Sequence, residues 1–185
     1  MFFEKQGPVW ETLRDLEKRL DDAGIPFVII GGLALNAYQY PRQTIDVDLV
    51  LRKGDFDEFV RRFSGTAYER KSGASRRFMD RQHDVPVDVL IAGELAGHHQ
   101  KNRTIRFPDP DERQIEGHLA TVSLPRLIEL KLVTWRFKDW GDVVELIRRN
   151  GLTDTFAEQL DPSIRTAYMQ CCDQATDKDY ENPHD

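Results

Sequence analysis

Three aspartates stand in apolar stretches of the chain, where an unpaired carboxylate is costly. Asp46 and Asp48 lie one residue apart in TIDVDLVL (residues 44–51), and Asp88 lies in VPVDVLI (residues 85–91). Side chains alternate across a strand, so a strand here would place Asp46 and Asp48 on the same face. The opposite face, toward the core, would carry four apolar residues: Ile45, Val47, Leu49 and Leu51.

Carboxylates that lie close together repel each other and resist joint ionisation, and a hard divalent cation relieves that repulsion. The pair Asp46 and Asp48 therefore indicates a site for Mg²⁺ or Mn²⁺, with Asp88 as a third ligand. Two alternatives remain open. The first is that the pair belongs to a solvated sheet face, and the second is that Asp88 is a structural polar residue of its strand.

Residues upstream of this pair have the chemistry to bind phosphate. Gly31 and Gly32 follow the apolar run IPFVII, at a predicted junction of strand and helix where backbone N–H groups can approach an anion. A tight turn would explain these glycines equally well. Arg42 and Thr44 stand just before the aspartates in RQTIDVD, and a guanidinium beside metal-bound phosphates suits polyphosphate chemistry. An ordinary surface residue is the alternative for Arg42.

Charged residues also interrupt two apolar helical stripes farther along the chain. Lys131 shares its stripe with Leu124, Leu127, Ile128 and Trp135. Asp139 and Asp142 share theirs with Val143, Leu146 and Ile147. An ammonium on an apolar face is costly unless it is paired. Either Lys131 forms a structural salt bridge with Asp142 or Asp139, or it reaches a nucleotide phosphate while one of these aspartates holds it.

In combination these residues resemble the signature of polymerase-β-type nucleotidyltransferases: a glycine pair, a helix, Arg-x-Thr-x-Asp-x-Asp and a third aspartate in a strand. The resemblance covers roughly Phe27 to Asn150. Within that superfamily the sequence is similar to the bacterial AbiEii/AbiGii abortive-infection toxins and related small proteins, whose later motifs look like the string K…RxKDxxD that ends at Asp142. Full AbiEii-like toxins have a larger C-terminal region, so recognition of the acceptor would differ here or depend on a partner.

The resemblance implies a reaction and a role for each residue. Asp46 and Asp48 would hold two Mg²⁺ or Mn²⁺ ions, and Asp88 would complete one metal site and help to activate the attacking hydroxyl. The nucleotide-binding residues would be Gly31, Gly32, Arg42, Thr44, Lys131 and Asp142. The implied reaction transfers a nucleoside monophosphate from a nucleoside triphosphate such as ATP to an acceptor hydroxyl and releases pyrophosphate.

The sequence leaves the acceptor and two rival functions open. The acceptor hydroxyl could belong to RNA, to a protein or to a small molecule, and a toxin-like role would add an antitoxin partner. One rival is a non-catalytic interaction or regulatory protein with this fold, against which the intact aspartate triad counts. The other is a metal phosphohydrolase, which would release phosphate and normally takes histidine ligands; the five histidines show no metal-binding spacing.

The predicted elements place these residues on a sheet covered by helices. Hydrophobic periodicity predicts helices at 7–24, 33–40, 55–63, 124–137 and 138–151, and weaker helical segments up to residue 172. Apolar runs bounded by turn residues predict strands at 25–30 and 44–51 and a hairpin of 76–80 with 85–92. Two further short strands are predicted at 104–107 and 120–124. Pro86 within the hairpin predicts a bulge or an edge strand.

We therefore predict an α+β fold: a nucleotidyltransferase-type mixed β-sheet flanked by helices, with a helical C-terminal third. The predicted boundaries are a catalytic core at 1–122, a helical segment packed on that core at 123–172, and a polar tail at 173–185.

Composition narrows the class of protein further. The 185 residues carry a net charge of −6, which disfavours general binding to nucleic acid, although clusters such as ERKSGASRR leave room for a local basic patch. The sequence shows no apolar run long enough to span a membrane and no apolar segment typical of a signal peptide, and its two cysteines are adjacent. These features predict a cytoplasmic protein without a membrane partner.

Overall fold

The computed structural model describes residues 6–97 and 104–177, which form a sheet with helices on both faces. The helices are α1 (Pro8–Asp22), α2 (Gly31–Ala34), α3 (Lys53–Phe63), α4 (Leu124–Leu132), α5 (Phe137–Asn150) and α6 (Arg165–Thr176). The strands are β1 (Val28–Ile30), β2 (Val47–Leu51), β3 (Tyr68–Arg70), β4 (Arg77–Asp80), β5 (Pro86–Ile91), β6 (Gln114–Glu116) and β7 (Leu119–Thr121). Short 3₁₀ helices occupy Leu35–Ala37, Pro110–Glu112, Asp154–Gln159 and Pro162–Ile164. In these two segments no helix is long and apolar enough to cross a membrane.

The strands of the described segments form one mixed sheet in the order β3-β4-β5-β2-β1-β7-β6. Strand β2 pairs in parallel with β5 and antiparallel with β1, and β1 pairs in parallel with β7. The remaining pairs, β3–β4, β4–β5 and β6–β7, are antiparallel. Because β2 lies near the centre and is covered on both sides, the apolar residues of this strand are fully buried whichever face they occupy: Val47, Leu49, Val50 and Leu51.

Two hydrophobic clusters cover the two faces of the sheet. One cluster joins α1 and α3 to one face and includes the fully buried residues Leu16, Leu49 and Phe59. The other joins α4, α5 and α6 to the opposite face and includes Val50 and Leu146, which are also fully buried. The chain therefore covers the sheet twice, first with its N-terminal helices and then with its C-terminal third.

Asp48 and Asp88 lie side by side in the middle of the sheet. They are register partners in the parallel pairing of β2 with β5, and Asp48 is also opposite Ile30 of β1. Val87 and Val89, which flank Asp88, are buried in the cluster around α1 and α3. Since side chains alternate along a strand, the two aspartates point to the other face, the one that carries the C-terminal helices.

The start of β2 differs from the predicted one. The strand begins at Val47, so Asp46 precedes it and does not belong to a strand. Ile45, which we predicted to face the core, is 79% exposed. Pairing explains the difference, because β5 first pairs with β2 at Val47 and β1 first pairs with it at Asp48. The residues before them have no neighbouring strand to hold them in an extended ladder.

Other predicted elements are shorter or differently placed. The helix after the glycine pair begins at Gly31 and ends as a 3₁₀ turn at Ala37, which is earlier than predicted. Pro86 opens β5, an interior strand whose pairing with β4 runs without an extra residue, so the predicted bulge or edge is wrong. A first strand residue tolerates proline because its missing N–H lies at the end of the ladder. Helix α4 ends at Leu132, and α6 extends to Thr176, into the predicted polar tail.

Strands β3 and β6 lie outside the predicted elements. Both are three residues long and form the two edges of the sheet. Residues 104–107, predicted as a strand, contribute a single bridge between Leu95 and Arg106. The division of the chain at residue 122 stays a prediction, although β7 and the helices that follow it pack directly on the sheet.

Candidate active site

The three predicted carboxylates meet on one side of the sheet. Asp46, Asp48 and Asp88 each offer an oxygen, and these oxygens lie within 4.8 Å of one another. Asp48 and Asp88 are fixed by the β2–β5 register, while Asp46 is held from the preceding loop by a hydrogen bond from Thr44 Oγ1 to its Oδ1 (2.7 Å). The three side chains are neither fully buried nor fully exposed, so small ions can reach them.

The glycine pair makes room for this cluster. A Cβ at position 31 would lie 2.8 Å from Cγ of Asp48, and Gly31 has a φ of +69°, in the left-handed region that favours glycine. A Cβ at position 32 would lie 2.7 Å from Oγ1 of Thr44, the residue that holds Asp46. The side chains of Asp48 and Thr44 therefore leave room only for glycine at positions 31 and 32.

The cluster shifts the protonation of its members. The pKa of Asp48 is raised to about 7, first by burial and then by the neighbouring charges of Asp46 and Asp88, against the opposing effect of Lys131 and Arg136. Burial also raises the pKa of Asp88, with a contribution from Asp46 and an opposing one from Arg77. A protein without a cation here would hold Asp48 partly protonated near neutral pH, so the cluster is short of positive charge.

Lys131 is buried and lies between two carboxylates of α5. Its Nζ donates to Oδ2 of Asp142 at 2.8 Å and to Oδ1 of Asp139 at 3.2 Å. The same Oδ2 of Asp142 accepts from Nη1 of Arg42 at 2.6 Å. The loop that carries Arg42 and Asp46 is thereby tied to helices α4 and α5 through the Asp142 carboxylate.

Asp139 has further partners of its own. It accepts from Oγ1 of Thr134 at 2.6 Å and from Nε of Arg136 at 2.5 Å. Burial alone would raise the pKa of Asp139, but Lys131, Thr134 and Arg136 outweigh it, so the pKa lies below its usual value. The residue between Thr134 and Arg136 is Trp135, which has a φ of +58°, a strained value for a bulky side chain. This strained turn joins α4 to α5.

Two arginines line the cleft together with Asp88: Arg76, which precedes β4, and Arg77, the first residue of β4. Nε of Arg77 lies 2.9 Å from Oδ1 of Asp88, its register partner across β4 and β5. Arg76 forms a two-pronged ion pair with Glu94, at 2.5 and 2.7 Å. We predicted for the stretch ERKSGASRR a solvated face or a local basic patch; Arg77 instead lies against the third carboxylate, because β4 pairs with β5.

These groups line one cleft of about 760 Å³. Its charged lining contains Asp48, Asp88, Asp139, Arg76, Arg77, Lys131 and Arg136. Its apolar lining comes from β1, β5 and α4, together with Phe107. A volume of this size suits a small molecule such as a nucleotide.

The predicted site residues divide into two groups. Gly31, Asp48, Asp88 and Lys131 line the cleft directly. The others, Asp46 among them, stand behind that lining: Gly32 accommodates Thr44, Thr44 holds Asp46, and Asp142 accepts hydrogen bonds from both Lys131 and Arg42. Contact with a nucleotide or a metal stays a prediction for all of these residues. Among the described residues, Arg77 and Thr134 were missed, since no motif marks them and only the strand register and the α4–α5 turn bring them to the cleft.

Comparison with solved structures identifies the fold. The crystal structure of ANT(2'')-Ia, an aminoglycoside nucleotidyltransferase, in complex with adenylyl-2''-tobramycin has a TM-score of 0.51 and 15% identity over 86% of this chain and 96% of that chain. The solution structure of the antibiotic-resistance factor ANT(2'')-Ia has a TM-score of 0.53 and 16% identity, over 85% of this chain and 91% of that one. The predicted fold class, a nucleotidyltransferase-type mixed sheet flanked by helices, is confirmed.

Comparison of the sequence with protein families and with curated proteins does not assign the chain to a family. No protein-family model and no curated protein matches the chain. The assignment to the AbiEii/AbiGii-like group therefore stays a prediction.

Proposed function

We propose that this protein is a Mg²⁺-dependent nucleotidyltransferase that transfers a nucleoside monophosphate from a nucleoside triphosphate to an acceptor hydroxyl and releases pyrophosphate. The observation that carries the proposal is the meeting of oxygens from Asp46, Asp48 and Asp88 within 4.8 Å, where Asp48 and Asp88 share a cleft with several cationic side chains. The shared fold with ANT(2'')-Ia supports it.

The donor set suits hard divalent cations. Carboxylate oxygens are the ligands that Mg²⁺ and Mn²⁺ prefer, and the cluster lacks the sulfur and imidazole ligands that softer metals favour. The raised pKa of Asp48 supports the same conclusion, because mutual repulsion of the carboxylates is what a bound cation would relieve. Asp46 and Asp48 would hold both ions, and Asp88 would complete one of the two sites.

Other residues of the cleft would transfer the proton and bind the triphosphate. Asp88 would orient the acceptor hydroxyl and accept its proton. Lys131 and Arg136, on the opposite wall, would contact the triphosphate, and the backbone at Gly31 would approach its terminal phosphates. Bound divalent cations would neutralise charge at the attacking and leaving oxygens. Asp139 and Asp142 would hold Lys131 in place, so that catalysis comes mainly from positioning.

The resemblance to AbiEii/AbiGii proteins also predicts a toxin-like role and an antitoxin partner. No contact within residues 6–97 and 104–177 bears on such a partner, so we leave it outside the proposal. A protein that kept the fold for interaction alone is the alternative, and the triad of clustered carboxylates counts against it.

Metal binding and product analysis test the proposal together. The variant Asp46→Asn/Asp48→Asn should lose Mn²⁺ binding in calorimetry performed with a non-hydrolysable nucleotide, while Asp21→Asn/Asp22→Asn, which removes two exposed carboxylates from the end of α1, should bind as the parent does. Incubation with Mg²⁺, each labelled nucleoside triphosphate and a cell extract should release pyrophosphate. Equal Mn²⁺ affinity in the two double variants would refute the two-metal site, and release of phosphate in place of pyrophosphate would indicate a hydrolase.

A further inference from the structure

The residues that line the cleft follow the order of the strands across the sheet. In the order β4-β5-β2-β1, Arg77 begins β4, Asp88 lies in β5, Asp48 lies in β2 and Gly31 directly follows β1. Neighbouring strands are about 4.8 Å apart, so the two ends of this row are separated by roughly 14 Å. The cleft therefore has a β4 side at Arg77 and a β1 side at Gly31, with the carboxylates between them.

The proposed reaction uses the two sides of the cleft differently. In an in-line displacement the attacking oxygen and the leaving oxygen lie on opposite sides of the phosphorus. The proposed function brings the terminal phosphates, which leave as pyrophosphate, to the backbone of Gly31 on the β1 side. With the α-phosphorus at the carboxylates, the attacking hydroxyl must approach from the β4 side, next to Asp88.

The protein has a hydroxyl of its own on the β4 side. Ser75 is exposed and lines the cleft, two residues before Arg77, whose Nε lies 2.9 Å from Oδ1 of Asp88. The pairing of the two chain segments continues past Arg77, because the N–H of Val89 donates to the carbonyl oxygen of Arg76 at 2.9 Å. One residue farther along this register, Ser75 is a diagonal neighbour of Asp88, and such neighbours lie about 7–8 Å apart.

The hydroxyl of Ser75 is available, whereas the other hydroxyl of the cleft is not. In the lining formed by the described residues, Ser75 and Thr134 supply the hydroxyl groups. Thr134 Oγ1 donates to Oδ2 of Asp139 at 2.6 Å and is fixed at the turn between α4 and α5. Ser75 forms no side-chain hydrogen bond with any residue in the described part of the chain. Ser75 is therefore the hydroxyl of the lining that can act as a nucleophile.

The segment that carries Ser75 can bring this hydroxyl closer to Asp88. It is the loop KSGAS (residues 71–75) between β3 and β4. The N–H of Ala74 donates to the carbonyl oxygen of Lys71 at 3.0 Å, and the N–H of Lys71 donates to that of Arg77 at 2.9 Å. Neither bond involves Ser75, so a shift of its exposed side chain toward Asp88 breaks neither of them.

We propose that Ser75 is a modification site, at which the protein transfers a nucleoside monophosphate to itself. This inference rests on the proposed function and gives it an acceptor. Oγ of Ser75 forms a bond to the α-phosphorus, the bond from the α-phosphorus to the oxygen that bridges to the β-phosphorus breaks, and pyrophosphate leaves with that electron pair. The proton of the serine hydroxyl passes to Asp88.

The product carries its nucleotide where another acceptor would have to enter. A phosphodiester on Ser75 occupies the β4 side of the cleft, beside the guanidinium groups of Arg76 and Arg77. An acceptor that belongs to the chain is also already positioned, which favours its reaction over that of a dilute external hydroxyl. The modification therefore limits further transfer by the same molecule.

Incubation of the purified full chain with Mg²⁺ and nucleoside triphosphates labelled at the α-phosphate tests this site. The variants are Ser75→Ala and Ser75→Thr, and the matched control is Ser72→Ala, which removes an exposed hydroxyl of the same loop that does not line the cleft. Intact mass gives the number of nucleotides on each chain, and fragmentation of the tryptic peptide 72–76 distinguishes the two serines. Melting temperatures establish that each variant is folded.

We expect one nucleoside monophosphate on Ser75, added at a rate per chain that does not change when the protein is diluted. Ser75→Ala should lower this rate by about 100-fold or more because the nucleophile is lost, Ser75→Thr should retain part of it, and Ser72→Ala should change it by less than about 2-fold. An unlabelled parent, label on Ser72, or equal labelling of the parent and Ser75→Ala would each overturn the inference. If the chain stays unlabelled but releases pyrophosphate with a cell extract, the proposed function stands without this acceptor. If it releases none, both are refuted.

Discussion

Gly31 and Asp48 are in such close contact that no other residue fits at position 31. A Cβ there would stand 2.8 Å from Cγ and 2.9 Å from Cβ of Asp48. The contact arises because β1 ends at Ile30, directly opposite Asp48 in the antiparallel register, and the chain turns into α2 across the aspartate side chain. The glycine and the carboxylate are therefore one structural unit, although seventeen positions separate them in the sequence.

Replacing this glycine should damage the site and the fold together. Gly31→Ala combines a left-handed φ of +69° with the overlap on Asp48, so the free energy of unfolding should fall by about 2–4 kcal/mol. Gly54→Ala in α3, where a Cβ meets nothing within 4 Å, is the control and should match or exceed the parent in stability. Urea denaturation measures both. A stable Gly31→Ala protein with unaltered Mn²⁺ binding would contradict the close contact.

The raised pKa of Asp48 makes the stability of the metal-free protein depend on pH. The folded protein keeps the Asp48 proton up to about pH 7, whereas the unfolded chain loses it near the ordinary value of 3.8. The folded state thus binds more protons between these values, so its stability falls as pH rises from about 4 to 7 and then levels off. Asp48→Asn removes this loss and should raise the melting temperature in EDTA more at pH 8 than at pH 5.

The exposed Asp57 provides the control for this pH dependence. It is 61% exposed and pairs with Lys53 on the surface of α3, so Asp57→Asn should change the melting temperature little at either pH. A gain for Asp48→Asn that is the same at pH 5 and pH 8 would show that packing, and not titration of Asp48, causes it.

Asp88 should matter for turnover more than for nucleotide binding. Asp88→Asn leaves Asp46 and Asp48 to hold the metal-bound nucleotide, so the dissociation constant of the nucleotide should change by only a few-fold. Turnover should fall by roughly 100-fold or more, because a group that accepts a proton in the transition state is lost. Arg77→Gln, which removes the ion pair to Asp88 at 2.9 Å, should have a smaller effect on turnover. Normal turnover in Asp88→Asn would identify Asp88 as a structural residue.

Lys131 both pairs with carboxylates and lines the cleft, so its replacement should affect two measurements. Lys131→Met keeps most of the side-chain packing and removes the charge. Asp139 and Asp142 retain Arg136 and Arg42 as partners, so the loss of stability should be about 1–3 kcal/mol, below the usual cost of an orphaned buried charge. Nucleotide affinity should fall by about 1.5–3 kcal/mol.

Lys18→Met is the matched control for this change. Lys18 is 76% exposed and pairs with Asp22 on α1, so its replacement should leave both stability and nucleotide affinity close to those of the parent. If Lys131→Met lowers the melting temperature and leaves nucleotide affinity unchanged, then Lys131 serves the fold alone.

Strand geometry predicted the orientation of Asp48 and Asp88, away from their apolar neighbours, but not that of Asp46, which precedes β2. Side-chain alternation places Asp88 opposite the core whichever strands surround β5, and the apolar neighbours Val87 and Val89 make that orientation unambiguous. The charge on the stripe of α4 likewise predicted that Lys131 lies inside and meets Asp139 or Asp142; the structure shows both contacts at once. Local periodicity was sufficient in each case.

Features that depend on which strands are neighbours could not be predicted in the same way. The exposure of Ile45 follows from where pairing of β2 begins, and the contact of Arg77 with Asp88 follows from the β4–β5 register. A smaller pocket beyond the C-terminal ends of β2 and β5 is lined by Arg52, Gly93 and Arg126, and it forms because β2 and β5 are adjacent. No single stretch of the sequence carries that information.

The bond between Arg42 and Asp142 also bears on the order in which the protein is made. The two residues are one hundred positions apart, and all three aspartates of the cluster precede Asp142 in the chain. During synthesis the carboxylates therefore emerge well before the lysine and arginine of the opposite wall, and contacts between distant segments form slowly. Until then, Arg77 is the cation beside these carboxylates, because it precedes Asp88 in the chain and pairs with it. Shortening the chain beyond α4 would therefore remove the carboxylate that joins Arg42 to Lys131, and with it the link between the loop of Asp46 and the helices.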